Sequence, residues 1–440
     1  MKSQSKQIKS SPPRWTIVPK GILFLGSIVL LIWNTWFYSQ PTVPPDHRTV
    51  PPYALSQLAW LRGTLAEGSA ERMQSIFPEG WFFCYALYGL SWVELALREP
   101  DFRSKALQEA RWALAHIESP QGKEPFPAEL KPDHGMFYSA WRNHLLAGIL
   151  LIQPPNSREP AEQQRFKRRC DQIAELLSTS TTPFPPSYRE FSWPCDTLPA
   201  IHSLVVSDAM TSDDTYSPVI KEWLAEVKQK TESQTALLPH TAKIRYGDPS
   251  SEARATSQTI ILRFLLDIDP AWAQDQYLRF REQFFAPRFG IPAIREYPPA
   301  VNKPGDIDSG PLITGISTSA SVVGMGVASV YGDYDLAQAI SQVGEAIGFP
   351  FGHEKRAYLG GYLPVADAFL VHASTARPWL DRTADQIVPL SISPFWRCGI
   401  HVISILFLLL AWKVFNFVSL VVAVRQQQQR RAQQLETPKS

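Results

Sequence analysis

The sequence lacks a charge imbalance and is poor in cysteine. Its 440 residues include 43 lysines and arginines against 41 aspartates and glutamates, which leaves a formal net charge of +2. This balance gives no electrostatic case for nucleic-acid binding, so we expect no nucleic acid partner. The four cysteines and nine histidines show no metal-type spacing, and we expect neither a metal nor a cofactor.

The few cysteines do not settle the redox state of the chain. Cys84, Cys170 and Cys195 lie in its middle part, and Cys398 lies at the start of a second apolar run. A disulfide between Cys170 and Cys195 is compatible with an oxidising compartment, but their spacing does not distinguish it from two free thiols.

Signals for β-strands and for nucleotide-binding loops are also scarce. Gly324-x-Gly326 lacks a preceding strand and the rest of the dinucleotide-binding pattern. Ala236–Tyr246 and Phe289–Glu296 have the composition of short β-hairpins. The rest of the middle of the chain is expected to be helical.

Two long apolar runs predict membrane helices. Gly21–Tyr38 follows a basic segment, ends in aromatic residues and is long enough to span a bilayer. A cleaved signal peptide is the alternative, but no small-x-small cleavage site follows, which favours an uncleaved anchor. Gly399–Val424 precedes Arg425 and contains one charge, Lys413, that must reach towards the lipid headgroups.

The positive-inside rule then gives the topology. Basic residues flank the outer ends of both runs, which places both termini in the cytoplasm and the domain between them outside it. We therefore expect a two-pass protein of the cell membrane, with the lipid bilayer as a partner. The predicted segments are a basic tail (1–20), a transmembrane helix (21–38), a Pro-rich linker (39–52), an extracytoplasmic domain (53–388), a second transmembrane helix (399–424) and a disordered tail (425–440).

Apolar and amphipathic helical segments alternate through the middle domain. After a first amphipathic segment, Tyr53–Ile76, each apolar helix is followed by one with a single apolar stripe, at intervals of about 45–60 residues. The predicted pairs are Trp81–Arg98 with Asp101–Ile117, Phe137–Ile152 with Ala161–Leu177, Pro194–Met210 with Pro218–Lys230, Ala253–Leu266 with Ala271–Phe285, Leu312–Val330 with Leu336–Ile347, and Leu363–Leu370 with Thr375–Ile387.

Helices that are apolar on all sides belong inside a fold, and helices with one apolar stripe belong outside. About six such hairpins can close into a ring, and an open solenoid is the structural alternative. The pattern over residues 53–388 resembles the six-hairpin (α/α)6 toroid of many glycoside hydrolases and polysaccharide lyases, and of linalool dehydratase-isomerase. The predicted fold is all-α, an (α/α)6 toroid with small β-hairpin insertions, flanked by two transmembrane helices.

In a closed ring of hairpins, the inner helices run in one direction and the loops before them share one rim. Carboxylates, aromatics and glycines concentrate in these loops. In Pro304–Pro311, Asp306 and Asp308 precede a helix expected to start near Pro311, with Asp308 or Ser309 as its N-cap. That helix, Leu312–Val330, is long enough to span a membrane, but its Ser/Thr content and the partner helix after it favour a buried inner helix.

Paired carboxyl groups at this rim would suit the hydrolysis of a glycosidic bond, which needs one acid and one base or nucleophile. Asp196, beside Trp193, is the candidate acid, and Asp308, stabilised as an anion at a helix N-terminus, is the candidate base. The further catalytic candidates are Asp306, Asp133 and His134. The candidates for substrate binding are Glu79, Trp81, Tyr138, Trp141, Arg142, Trp193, Arg254 and Tyr362.

Each of these residues also has a plain structural interpretation. Asp196 and Asp308 are both placed to act as helix caps. His134 is equally interpreted as a loop histidine with its hydrogen bonds satisfied, and Cys195 as a small buried residue rather than a nucleophile. The tryptophans fit a hydrophobic core as well as a sugar-binding surface.

Three functions remain open on the sequence. The first is a membrane-anchored carbohydrate-active enzyme, a glycoside hydrolase acting on an envelope or exported glycan. The second is a lyase or dehydratase-isomerase of the same toroid class, which would use Asp, His and Tyr residues, with Cys195 as an optional participant. The third is a glycan-binding or membrane scaffold protein without catalysis.

Overall fold

The computed structural model describes residues 17–37, 42–44, 46–383, 387–388, 390 and 392–436. Over these ranges the chain is helical, and extended pairing is confined to isolated β-bridges. The α-helices are α1 (Ile17–Phe37), α2 (Ala54–Ala66), α3 (Ser69–Ile76), α4 (Gly80–Arg98), α5 (Arg103–Ile117), α6 (Pro120–Lys123), α7 (Met136–Leu151), α8 (Pro160–Thr179), α9 (Pro194–Thr211), α10 (Ser217–Val227), α11 (Ala255–Ile268), α12 (Pro270–Phe284), α13 (Thr318–Val330), α14 (Tyr334–Ile347), α15 (Pro364–Thr375) and α16 (Trp396–Glu436).

The chain divides into two compact units. One contains α1, α16 and residues 289–291, and the other contains Pro41–Arg288 and Pro292–Ile392. In the second unit, α4, α7, α9, α11, α13 and α15 pack each against the next, and α15 packs against α4. These six helices close a ring, so the predicted (α/α)6 toroid is confirmed and the open solenoid is excluded.

An outer layer of helices covers the ring. Helix α5 packs on α4, α8 on α7, α10 on α9, α12 on α11 and α14 on α13. The prediction that Thr375–Ile387 forms the sixth outer helix is wrong in its described part: α15 runs to Thr375, and residues 376–383 and 387 are not helical. The N-terminal helices α2 and α3 pack on α15 and α4 instead, so the two ends of the domain close the ring together.

Small residues let the inner helices approach closely. A methyl group on Gly326 of α13 would lie 2.7 Å from the carbonyl oxygen of Ala373 on α15, and one on Gly148 of α7 would lie 2.8 Å from Val93 on α4. Contacts below 3 Å require the backbone or its neighbours to shift. Glycine at these positions therefore sets the width of the ring.

Helix α13 begins six residues later than the sequence predicted. Its N-cap is Ser317, whose hydroxyl accepts a hydrogen bond from the Ala320 N–H at 3.2 Å. The segment before it turns at Thr314 and Gly315, both with positive φ, and bridges from Ile316 to Arg295. Because this pairing takes up the backbone groups, Asp308 and Ser309 are not caps and Pro311 is not the first helical residue.

The two predicted β-hairpins are reduced to isolated bridges. In the first segment, Ala242 pairs with Ser192 and with Pro249. In the second, Ile294 pairs with Phe285. These bridges hold the long loops that precede α11 and α13 against the toroid.

Trp379, on the segment after α15, crosses the interior of the ring. Its ring stacks on His144 of α7 with 4.2 Å between centroids, and its indole N–H lies 3.5 Å from Glu94 of α4. Its backbone N–H donates to Oδ2 of Asp267 on α11 at 2.8 Å, and the same oxygen lies 3.0 Å from Nε2 of His202 on α9. Trp379 thus joins helices on four sides of the ring.

The unit with α1 and α16 is a pair of apolar helices. The Asn34 amide donates to the Ser404 hydroxyl at 2.8 Å, and both side chains are buried between the helices. The outward side chains are apolar and exposed, among them Ile22, Phe24, Val29, Leu406, Leu409 and Phe417. Helix α16 continues to Glu436, so the prediction of disorder after Arg425 is wrong for residues 426–436. Residues 1–16, Tyr38 and residues 437–440, which the predictions also covered, lie outside the described residues.

Two described helices are long and apolar enough to cross a membrane. Gly80–Arg98 is 89% buried and belongs to the toroid ring, whereas Trp396–Val414 is only 13% buried. Phe24–Trp36 of α1 is a shorter apolar stretch. Length and apolar character alone do not separate a membrane span from the core helix of a soluble protein.

Candidate functional site

Loops that precede the inner helices meet at one rim of the toroid. Tyr188, before α9, donates its hydroxyl proton in a short hydrogen bond to Oε1 of Glu79, before α4. Arg254, before α11, forms a bidentate ion pair with Asp306, before α13. The rim expected from the direction of the helices therefore exists, and it brings Glu79, Asp196, Asp306 and Asp308 into electrostatic contact.

Asp196 lies in the first turn of α9 and is only 5% exposed. Trp193 is the N-cap residue and Pro194 the first residue of the helix, a position where the fixed φ of proline suits a helix start. Asp196 is therefore not the cap. Burial raises the pKa of its carboxyl to about 7, and the negative charges of Glu79 and Asp308 act in the same direction. A carboxylic acid with this pKa retains a proton near neutral pH.

Asp306 organises the turn that presents Asp308. Its Oδ1 accepts the backbone N–H groups of Asp308 and Ser309, each at 3.1 Å. The Ser309 hydroxyl accepts the Asp306 N–H at 2.9 Å, and the Asp308 carbonyl accepts the Ser319 hydroxyl at 2.7 Å. The side chain of Asp306 is thus occupied in holding the loop.

Arg254 fixes this loop to the toroid. Its Nη1 and Nη2 donate to the two Asp306 oxygens at 2.5 and 2.8 Å, and its Nε donates to Glu296 at 2.8 Å. Its Nη1 also lies 3.2 Å from His240 Nε2. Burial alone would raise the pKa of Asp306. The hydrogen bonds from Arg254 and from the Ser309 N–H instead hold this pKa well below its ordinary value. Asp306 is therefore ionised and engaged, and Arg254 is a structural clamp.

Asp308 is exposed at this rim, although protein lies close around its carboxyl group. Loss of hydration to that surrounding protein raises its pKa to about 6; the adjacent Asp306 and Glu79 add to the shift, and Arg254 opposes it. The predicted stabilisation by a helix N-terminus is wrong, because α13 begins at Thr318. A carboxylate with this raised pKa is ionised at neutral pH and is a stronger base than an ordinary aspartate.

An exposed aromatic surface adjoins these carboxyls. Phe191, 53% exposed, stacks on the half-buried Trp193 with 5.2 Å between ring centroids. The ring of Tyr188 meets Trp193 edge-on at 5.4 Å. Stacked rings beside polar groups are suited to the apolar faces of sugar rings. Tyr362, before α15, is 79% exposed, and no described contact ties it to the carboxyls.

The Asp133–His134 pair predicted as catalytic has local structural roles. The Asp133 carboxylate lies 3.5 Å from Nη2 of the buried Arg142, and the Asp133 carbonyl accepts the Ser139 hydroxyl at 2.7 Å. His134 has a positive φ, and its Nδ1 lies 3.1 Å from the Phe126 carbonyl oxygen. No contact in the described part of the chain brings either residue to Asp196 or Asp308.

Three aromatic residues predicted to bind substrate lie in the core. Trp81 donates its indole N–H to the His116 carbonyl at 3.0 Å, and the Tyr138 hydroxyl donates to the Ile117 carbonyl at 3.3 Å. Trp141 is buried at the wall of a small cavity inside the ring. Trp141 faces this interior cavity, and Trp81 and Tyr138 are packed in the core, so none of the three lies on the exposed surface of the rim. Arg142 is also buried, with its guanidinium 4.9 Å from the ring centre of Tyr138.

The cysteines are free thiols. Cys84, Cys170 and Cys195 are buried and Cys398 is exposed, so no Cys170–Cys195 disulfide is present. Burial raises the pKa of the Cys195 thiol well above its ordinary value, and the charges of Asp196 and Asp308 raise it further. Because the thiolate is the reactive form, Cys195 is unsuited to nucleophilic catalysis.

Tyr188, His240 and Glu296 belong to the site but were missed in the sequence. Each lies in a loop without helical periodicity, and each reaches its partner through tertiary packing. Tyr188 contacts Glu79, and His240 and Glu296 both contact Arg254. Only the position of Tyr188, shortly before an inner helix, could have suggested its role. Over the described ranges, no group of three or more His, Cys, Asp and Glu side chains is placed to hold a metal ion.

No protein-family model matches the sequence, and no curated protein matches it. Among solved structures, the chain is similar to a selenomethionine derivative of a GH76 alpha-mannanase from Bacteroides thetaiotaomicron, with a TM-score of 0.41 and 12% identity over 66% of this chain and 85% of that chain.

Proposed function

We propose that the protein is a membrane-anchored glycoside hydrolase that cuts an envelope or exported glycan. The arrangement that supports this is a buried carboxyl, Asp196, and an exposed carboxyl, Asp308, at one rim, where their surroundings raise their pKa values to about 7 and about 6. We take this rim as the substrate cleft. Glycoside hydrolysis requires two carboxyl groups in different protonation states. The stacked Phe191 and Trp193 beside them provide a surface for a sugar ring.

The environments of the two carboxyls assign their roles. Asp196 is the general acid that protonates the glycosidic oxygen, because burial keeps its proton in place near neutral pH. Asp308 is the base or nucleophile, because it faces the open cleft as an anion. Asp306 and Arg254 position Asp308 through the turn they hold. Glu79, fixed by Tyr188, lies beside both carboxyls.

The proposal is tested with the full-length protein in detergent and a panel of polysaccharides. We expect the release of reducing ends from at least one glycan, and no release by the double variant Asp196→Asn/Asp308→Asn. A polysaccharide lyase would instead release a product with a new carbon–carbon double bond, which ultraviolet absorbance detects. Unsaturated products, or equal activity of the double variant and the wild type, would exclude the hydrolase mechanism.

The pH dependence of hydrolysis should be bell-shaped. Activity requires Asp308 ionised and Asp196 protonated, so kcat/KM should rise with pH through about 6 and fall through about 7. Because Glu79 raises both pKa values, Glu79→Gln should move both limbs to lower pH. A profile that is flat between pH 5 and 8 would contradict this assignment.

Membrane anchoring by α1 and α16 is part of the proposal. Their outward side chains are apolar, while the polar pair Asn34–Ser404 is enclosed between them. Small and polar residues at the contact and apolar residues outside are typical of helices packed in a bilayer. The 21 residues of α1 also extend about 30 Å, the thickness of the hydrocarbon core.

The proposed topology predicts which parts of the chain a protease reaches. In intact spheroplasts, an added protease should cut the toroid, while epitope tags on both termini stay protected until the membrane is opened. The protein should also remain in the membrane fraction after an alkaline carbonate wash and dissolve only in detergent. Digestion of either tag in intact spheroplasts would overturn the two-pass orientation.

A further inference from the structure

We infer that the glycan bears free amino groups, an inference that rests on the proposed function and names the substrate class of the same site. Carboxyl groups outnumber the available cations in the cleft. Glu79, Asp306 and Asp308 carry negative charge there while Asp196 keeps its proton, and Arg254 is a cation that pairs with Asp306. The charges in the cleft therefore favour a ligand of positive charge.

Arg254 is not free to bind an acidic sugar. Its guanidinium donates to Glu296 through Nε and to Asp306 through both terminal nitrogens. Its Nη1 also contacts His240, and the side chain is buried. Binding a substrate carboxylate would break the clamp that holds the Asp308 loop.

Three other cations on or beside these loops are also paired. Lys303 contacts both Glu252 oxygens at 2.8 Å, Arg142 faces Asp133 at 3.5 Å, and Arg189 forms a short ion pair with Glu129. A glycan of uronic acids or phosphorylated sugars would meet the carboxylates of Glu79 and Asp308, and these paired cations are not available to compensate its charge. Such a substrate is disfavoured by charge repulsion.

An ammonium group, in contrast, finds acceptors and an aromatic wall together. The Tyr188 hydroxyl fixes Oε1 of Glu79, which leaves Oε2 of this partly exposed carboxylate for a ligand. Tyr188 meets Trp193 edge-on, and Trp193 stacks on the exposed Phe191. An amino group of a sugar lying on Trp193 would contact both a carboxylate and an aromatic face, and each of these attracts a cation.

Binding to a catalytically silent protein tests the inference separately from turnover. The full-length Asp196→Asn variant in detergent is titrated by calorimetry with three tetrasaccharides, of glucosamine, of N-acetylglucosamine and of galacturonic acid, at pH 6. The glucosamine oligomer should bind about tenfold more tightly than its N-acetylated counterpart, and the galacturonate oligomer most weakly. The difference should shrink as salt is raised from about 0.05 to about 0.5 M.

Glu79→Gln in the same background should reduce the preference for the amine by several-fold without weakening the N-acetylated oligomer. Glu129→Gln, at an exposed carboxylate outside the cleft, is the matched control and should leave the preference unchanged. Equal or tighter binding of the N-acetylated or galacturonate oligomer would overturn the amine assignment, even if the wild type hydrolyses a neutral glycan. Amine-selective binding without any hydrolysis by the wild type would support this inference and count against the proposed function.

Discussion

Asp196→Asn is expected to lower kcat/KM for glycan hydrolysis by about 10³-fold. The asparagine keeps the shape of the side chain in the first turn of α9 but has no proton to give to the glycosidic oxygen. Asp308→Asn should cause a loss of similar size, because the base or nucleophile is removed. The measurement is the initial rate of reducing-end release at the pH optimum.

The stability of Asp196→Asn separates a catalytic role from a structural one. The pKa of Asp196 is higher in the folded protein than in the unfolded chain, so folding favours its protonated form. Stability from this group is present at low pH and is lost as pH rises through about 7. Removing the ionisable group should therefore leave the midpoint of unfolding at neutral pH unchanged or raise it, while activity is lost.

Asp248→Asn is the matched control for these variants. Asp248 lies in the loop region before α11 and pairs with Lys230 at 2.8 Å, away from the carboxyls of the cleft. Its replacement should preserve activity. An Asp196→Asn protein that hydrolyses glycan at the wild-type rate would show that another group supplies the proton.

Breaking the buried Glu94–Arg263 ion pair should have the largest effect on stability. Glu94 on α4 is fully buried, and it contacts Arg263 of α11 in a short ion pair and the Thr375 hydroxyl at 2.9 Å. Burial alone would raise the pKa of Glu94, but Arg263 and His372 hold it below its ordinary value. Arg263→Met leaves this carboxylate without its main partner and should cost about 3–5 kcal/mol of the free energy of unfolding.

A double variant tests whether the cost comes from the unpaired charge. Glu94→Leu combined with Arg263→Met removes both charges and should recover most of the stability that either single change loses. Urea unfolding of the full-length protein in detergent measures all four proteins. Single variants within about 1 kcal/mol of the wild type would mean that water or another group reaches the site.

The inner helices could be predicted from the sequence because their signal is local. Segments such as Trp81–Arg98 and Pro194–Met210 are apolar on all sides, and the structure places them in the ring within a residue of the expected bounds. The sixth outer helix could not be predicted in this way. The pattern after Leu370 suggested a partner for α15, whereas the partner comes from the far end of the domain, at Ala54.

Only part of the candidate site could be predicted from the sequence, for the same reason. Position before an inner helix identified Asp196, Asp306, Asp308 and Glu79 as rim residues. It could not show that Ser317 rather than Asp308 caps α13, because the bridge from Ile316 to Arg295 overrides the helical pattern. Nor could it separate Trp193 at the rim from Trp81 and Trp141 in the core, since all three have similar neighbours in the sequence.

Trp379 gives the toroid a closed floor. It reaches α4, α7, α9 and α11 from inside the ring, below the rim that carries the carboxyls. Under the proposed function, a glycan would bind from the rim rather than pass through the ring at Trp379. The products would leave from the same side. Trp379→Ala would enlarge the space inside the ring, and its main effect would be on stability rather than on which bond is cut.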